Sequence, residues 1–197
     1  VERGKRLPEI LAALRGHPYL SSADVFLLTE TDIGMARSHN ADVAREIARD
    51  LGFHYAFIPC YLSLVKGSGL EREIDGDNQL GLHGNAIVSR YPILRPRPVH
   101  LENGVDIFAA REKRLGCQTA LLAEIAFPGA SPTFACVHLD AHSSQSHRRD
   151  QMRAVLDAAP SGPVVVGGDW NTVTYNSSTA FHAIMGFWLR VMMGVPY

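Results

Sequence analysis

Apolar positions along the chain switch repeatedly between helical and strand spacing. In "RLPEILAALRGHP", Leu7, Ile10, Leu11 and Leu14 recur at helical intervals, Pro8 is tolerated in a first turn, and Gly16-His17-Pro18 ends the run. "ADVFLLTET" follows as a short apolar strand that should stop at Glu30. "NADVAREIARDLGF" returns to helical spacing, with Val43, Ile47 and Leu51 on one face and Gly52 as the stop. "HYAFIPCYL" and "NAIVSRYPI" read as strands, the second ended by Pro92. Between them "VKGSGLEREIDGDNQLGLHG" is polar and glycine-rich, a surface loop of a length that is uncommon without a function.

"RPRPVHLENG" is proline-rich and extended. "CQTALLAEIAF" and "PTFACVHLD" predict two strands joined through "PGAS" as a hairpin. "SQSHRRDQMRAVLDAAP" predicts a helix with Met152, Val155 and Leu156 turned inward. It leads into "VVVGGDWNT", where three β-branched residues suit a strand covered on both faces. Strands and helices interleave with at least one hairpin, so the class is α/β with mixed sheets.

Composition narrows this outline. With 197 residues, 46% of them hydrophobic, the chain can bury one good core, which predicts a single domain over residues 1–197. A net charge of −1 gives no global footprint for nucleic acid, although charge can still be local. Cys60, Cys117 and Cys136 are odd in number and widely spaced, which argues for buried free thiols over a disulfide framework or a cysteine-based zinc site. "VERGKRLPEI" shows no apolar signal region. The apolar window "AFHAIMGFWLRVMMGVPY" contains His182, Arg190 and Pro196 and is shorter than the ~20 residues of a span, so it reads as a core or interfacial helix.

Chemistry gathers at strand ends. "VFLLTE" ends on Glu30, "FACVHLD" on His138 and Asp140, and "VVVGGD" on Asp169. Open α/β folds build sites where strands leave the sheet. Carboxylates with an Asn and a His nearby form a hard-oxygen set suited to Mg²⁺ or Mn²⁺. Singly, Glu30 reads as a surface acid, His138 as a satisfied strand-end histidine, and "GGDWN" as an Asx-rich turn. If the chain stays extended after Gly167 and Gly168, Asp169 and Asn171 share one face.

The order of these segments resembles the endonuclease/exonuclease/phosphatase superfamily, the DNase I-like metal-dependent phosphohydrolases. The matching blocks are "DVFLLTET", "HGNAIVSRYPI", "CVHLDAHSSQSHRRDQM" and "VVVGGDWNT", in order from about Glu9 to Thr174. The resemblance implies a two-sheet α/β sandwich with helices on its outer faces and a site at one edge. It implies hydrolysis of a phosphoester by metal-assisted, in-line attack of water. By position, Glu30 would ligate Mg²⁺ or Mn²⁺, Asp169 would activate the water, and Asn171 would hold Asp169 or a phosphate oxygen. His138 would bind or protonate a phosphate oxygen, and Arg114, with Arg111 close behind, would serve the phosphate.

Two parts of the family pattern have no counterpart in these residues: a metal-binding Asn that would precede Val1, and a C-terminal Asp-His pair. Residues 1–197 are therefore expected to be part of a longer chain, incomplete at both ends. Two other readings remain open. The cluster His138, Asp140 and His142 would share a face on a strand and could hold zinc. A non-catalytic phosphate-binding or interaction module could use the same fold. The implied substrate is a phosphorylated molecule: nucleic acid, phospholipid headgroup, inositol phosphate or nucleotide. No obligate protein partner is indicated, and membrane contact is left open. The basic run at Arg148, Arg149 and Arg153 reads as a solvated helix face. The acids Glu71, Glu73, Asp75 and Asp77 make the long loop a poor partner for a DNA backbone, which tilts the expectation toward a smaller or lipid phosphodiester.

Overall fold

The strand-spaced segments pair into two four-stranded sheets in the computed structural model, which describes residues 1–141, 143–172 and 179–194. Sheet A contains β1 (Val25–Ile33), β2 (His54–Ser63), β3 (Leu82–Ser89) and β5 (Arg114–Gly116) in the order β1-β3-β2-β5. Sheet B contains β4 (Ile93–His100), β6 (Thr119–Ile125), β7 (Thr133–His138) and β8 (Val164–Asp169) in the order β4-β6-β7-β8. All pairings are antiparallel except β7 with β8, which follows from the helix α3 (Gln145–Ala158) that connects them.

Alternation along each strand divides the core into three layers. Ile87, Leu121, Ala123, Ile125 and Cys136 meet between the sheets, with Leu27 and Ile58 packed against them. The opposite faces of the same strands carry the helices. Ala86 and Val88 pack with Val43 and Ile47 of α2 (Val43–Leu51) and Leu14 of α1 (Leu7–Gly16). Ala120, Leu122, Ala135 and Val137 pack with Val155 of α3. Each fully buried aliphatic side chain contributes about 1.5–3 kcal/mol, so this period-2 division is the main force setting the register. Local signals fix the helix ends: Asp42 caps α2 by accepting the Arg45 N–H at 3.0 Å, Gly52 closes it at φ +69°, and Ser144 caps α3 by accepting the His147 N–H at 3.1 Å.

The architecture is the predicted two-sheet sandwich with helices outside, and several details refine or differ from the sequence reading. β1 does not stop at Glu30 but runs on to Ile33 through a bulge between Leu28 and Thr31. The proline-rich segment is strand β4, tolerated because it lies at the edge of sheet B. Among the described residues β8 is also an edge strand, and Val165 is 45% exposed, so those residues do not cover its β-branched run on both faces. On α3, Val155 is buried while Leu156 is exposed. Of the cysteines, Cys60 and Cys136 are buried free thiols and Cys117 is half-buried. The C-terminal apolar window forms α4 (Ala180–Phe187) and a π-helical turn (Trp188–Met192), with Phe181, Ile184 and Trp188 exposed, which leaves the interfacial form of the expected core or interfacial helix. No helix among the described residues is long and apolar enough to cross a membrane.

Candidate active site

The layer between the sheets changes character toward one end. On β3, the inward positions run from Ile87 to Asn85 and His83; on β7, from Cys136 to His138; on β2, from Ile58 to Cys60. Cys60, His83, Asn85 and His138 there line a cleft of about 890 Å³, together with Glu30, Arg114 and Asp140. The cleft is therefore the polar continuation of the inter-sheet core.

Glu30 owes its place to the β1 bulge. Alternation from Phe26 and Leu28, which face the helices, would send Glu30 to the outer face; the bulge turns it into the cleft instead. Its φ of +57° is a strained conformation for a non-glycine residue. Asn171 has a similar φ of +48°. The chain after Gly168 is thus not extended, and Asp169 and Asn171 do not lie side by side as strand neighbours. They form an Asx turn in which Asp169 Oδ1 accepts the Asn171 N–H at 2.9 Å. The Asn171 carboxamide donates to Leu139 O at 2.7 Å, pinning the end of β8 to the segment that follows β7.

His138 and Asp169 are partners in the parallel β7–β8 register. Gly168 makes that closeness attainable, since a Cβ there would lie 2.0 Å from Val137 O, and its φ is +130°. Burial holds His138 below the ordinary histidine pKa, against the opposing pull of the Glu30 and Asp169 carboxylates, so the ring is neutral at neutral pH. Arg114 lays its guanidinium 4.6 Å from the centre of the Tyr61 ring, which fixes its plane. Arg114 Nε and Asn85 Oδ1 are buried with no hydrogen-bond partner among the described residues.

Of the five residues singled out from the sequence, Glu30, Arg114 and His138 line the cleft. Asp169 adjoins it through His138, and Asn171 braces Asp169; neither is itself a lining residue. Arg111 also lines the cleft. In the zinc reading, His138 and Asp140 are present at the cleft, but β7 ends at His138, so a shared strand face does not continue to Asp140. His142 lies outside the described residues. No group of three or more His, Cys, Asp or Glu among the described residues is arranged to hold a metal. Of the cleft carboxylates Glu30 could serve a hard cation of the Mg²⁺ type, which binds through one or two carboxylates and keeps several waters.

Sequence reasoning missed the buried charge network behind the cleft. Arg37 is 4% exposed and Asp32 0%. Arg37 Nε and Nη2 donate to the two Asp32 oxygens at 2.8 and 3.0 Å, and its Nη1 donates to Glu112 at 2.7 Å and Glu71 at 3.3 Å. His83 Nδ1 lies 2.7 Å from Asp32 Oδ1. Burial alone would raise the Asp32 pKa, yet His83 and Arg37 overcome it and hold the carboxyl ionised. Glu71 also accepts from Arg3 at 2.7 Å and pairs with Lys5 at 2.5 Å. The signal in the sequence was "TETDIGMAR", where charged residues alternate through and just beyond the end of an apolar strand.

The model of the Endonuclease/Exonuclease/phosphatase family matches residues 2–191. The chain belongs to this family. Among curated proteins, none matches its sequence. Its fold is similar to the endonuclease/exonuclease/phosphatase from Beutenbergia cavernae DSM 12333, with a TM-score of 0.60 and 21% identity, over 92% of this chain and 47% of that one. It is similar to the human Nocturnin catalytic domain with bound sulfate anion, at TM-score 0.54 and 17% identity, over 95% of this chain and 62% of that one. It is also similar to sphingomyelinase C from Streptomyces griseocarneus, at TM-score 0.52 and 18% identity, over 92% and 61%. The chain thus spans about half to three-fifths of the length of these family structures.

Proposed function

We propose that this chain carries the catalytic core of a divalent-metal-dependent phosphoester hydrolase, acting on phosphodiesters by in-line attack of water. The observation that supports this most is the convergence of Glu30, Arg114 and His138 on one cleft, with Asp169 held beside His138 by strand register. The family's phosphoesterase fold supports hydrolysis at phosphorus in general.

In this reading Glu30 would hold Mg²⁺ or Mn²⁺, which when bound would neutralise phosphate charge and stabilise the leaving oxygen. Asp169 accepts the proton of the attacking water, and the Asx turn to Asn171 fixes the direction of its carboxylate. Neutral His138 donates a hydrogen bond to a non-bridging phosphate oxygen. Arg114, its plane set by Tyr61, pairs with the phosphate. Catalysis then rests on positioning and charge stabilisation, which is what phosphoryl chemistry mostly requires.

Hydrolysis of a generic phosphodiester with Mg²⁺, Mn²⁺, Zn²⁺ or EDTA, beside Asp169→Ala, tests this reading. Activity that needs Mg²⁺ or Mn²⁺ and vanishes in the variant supports it. Activity only with zinc moves the chemistry to the histidine cluster. No turnover in a folded protein that still binds phosphate favours a binding module.

A further inference from the structure

The buried network sorts charge along two surface segments. Glu71 is followed by Arg72, and Glu112 stands between Arg111 and Lys113. Arg37 draws both acids inward, where they are spent on its guanidinium. Their basic neighbours are left outside without a carboxylate. Lys66, Arg72, Arg111 and Lys113 then line, with Val65, a separate pocket of about 410 Å³.

Among the described residues none of these four cations forms an ion pair. Their contacts orient them without neutralising them. Lys66 Nζ donates to Ile74 O at 2.5 Å, and Arg72 Nη2 donates to Arg111 O at 2.6 Å. Lys113 Nζ lies 5.3 Å from the centre of the Phe108 ring. The loop acids Glu73, Asp75 and Asp77 do not line the pocket. Arg72 and Arg111 line both this pocket and the cleft, so the two spaces adjoin. Four cationic residues around one pocket with no protein anion paired to them suit a group of concentrated negative charge.

We propose that this pocket binds a second phosphate group of the substrate, while the scissile phosphate sits at Arg114 and His138. The inference rests on the phosphoesterase reading above and narrows it to small phosphoesters that carry another phosphate. A bounded pocket suits one such group; a nucleic-acid backbone would need a continuous basic groove, and the chain's net charge is −1. The acidic loop therefore has a different meaning from the one its composition suggests, since it delivers Lys66 and Arg72 to the pocket.

Calorimetric binding to the full chain in metal-free buffer separates this inference from the catalytic one. The probes are adenosine 3′,5′-bisphosphate against adenosine 5′-monophosphate, and inositol 1,4-bisphosphate against inositol 1-phosphate. At least one bisphosphate is expected to bind about tenfold or more tighter than its monophosphate, and the pair that does so identifies the source of the phosphate. The preference should shrink as salt rises. It should disappear in Lys66→Glu/Lys113→Glu and return in Lys66→Arg/Lys113→Arg. Lys113→Glu alone, which breaks no side-chain hydrogen bond among the described residues, serves if the double variant does not fold and should lose most of the preference. Equal affinity for mono- and bisphosphates overturns the proposal. So does a single-stranded oligonucleotide that binds tighter than either bisphosphate and depends on the same lysines. A bisphosphate preference without turnover under any metal would keep the pocket and refute the hydrolase reading; turnover without the preference would do the reverse.

Discussion

His138 and Asp169 stand opposite each other on the parallel strands β7 and β8, a half-buried neutral imidazole beside an exposed carboxylate. Neighbours of this kind differ in the work they can do at one pH: the ring donates a hydrogen bond while the acid accepts a proton. The pairing depends on backbone contact between the strands, so it can be perturbed from either side chain or from the backbone.

Asp169→Asn should reduce phosphodiester turnover by about 10²–10⁴-fold, the usual range for a lost general base. Stability should fall by no more than about 1 kcal/mol, because Asp169 is exposed and gives up only its bond from the Asn171 N–H. Steady-state kinetics with urea unfolding of the same protein checks both parts. A similar loss in rate and stability would mean that Asp169 acts through the fold.

Gly168→Ala should destabilise the protein by more than about 1 kcal/mol and lower turnover with it. The new Cβ would collide with Val137 O on the neighbouring strand. Gly162→Ala is the control, since its φ of +131° is nearly the same but its Cβ would meet open space. Thermal melts of the two variants separate the collision from the backbone conformation; equal losses would show that close strand approach is unimportant.

Removing Arg37 should be far more costly than its polar character suggests. Arg37→Met strands Asp32, with its charge, in the interior, and the expected loss is about 3–5 kcal/mol. Arg37→Met combined with Asp32→Asn should lose less than the two single changes added together, because the pair shares one interaction. Denaturant unfolding of the four proteins tests this. Simple additivity would rule out direct coupling.

Acid should weaken the fold through Glu71. Burial would raise its pKa, but Lys5, the Ser68 N–H, Arg3 and Arg37 hold it at about 2, below the ordinary 4.5. A carboxyl with a depressed folded-state pKa stabilises above the unfolded value and loses that contribution as pH falls from 4.5 toward 2. The loss should be about 1–2 kcal/mol, below the full linkage value because water screens the partly exposed Arg3 and Lys5. Glu71→Gln should flatten that part of the pH–stability curve. An unchanged slope would assign acid sensitivity to other groups.

The sandwich was legible because its apolar positions keep period 2 in strands and helical spacing in α1, α2 and α3, and burial enforces both. Glu30, His138 and Asp169 were legible because each ends an apolar run. What the pattern could not disclose were events that break it. The bulge at Glu30 and the left-handed backbone at Asn171 turn side chains away from the faces that strict alternation assigns. The edge position of β8 depends on what pairs with it, and the same three valines suit a central or an edge strand. The Arg37 network was hidden for a different reason: its partners are far apart in sequence, and charged residues normally predict surface.

Distance along the chain also bears on how the protein acquires its site. Arg37 reaches Glu112 across 75 positions, and Arg3 reaches Glu71 across 68. Closing such long loops costs conformational entropy that the ion pairs and the packing around them must offset in the folded state. In the sequence Glu71 stands beside Arg72, and Glu112 between Arg111 and Lys113, so each acid has basic neighbours. The charge pattern of this edge is therefore a property of the folded chain, not of its local sequence.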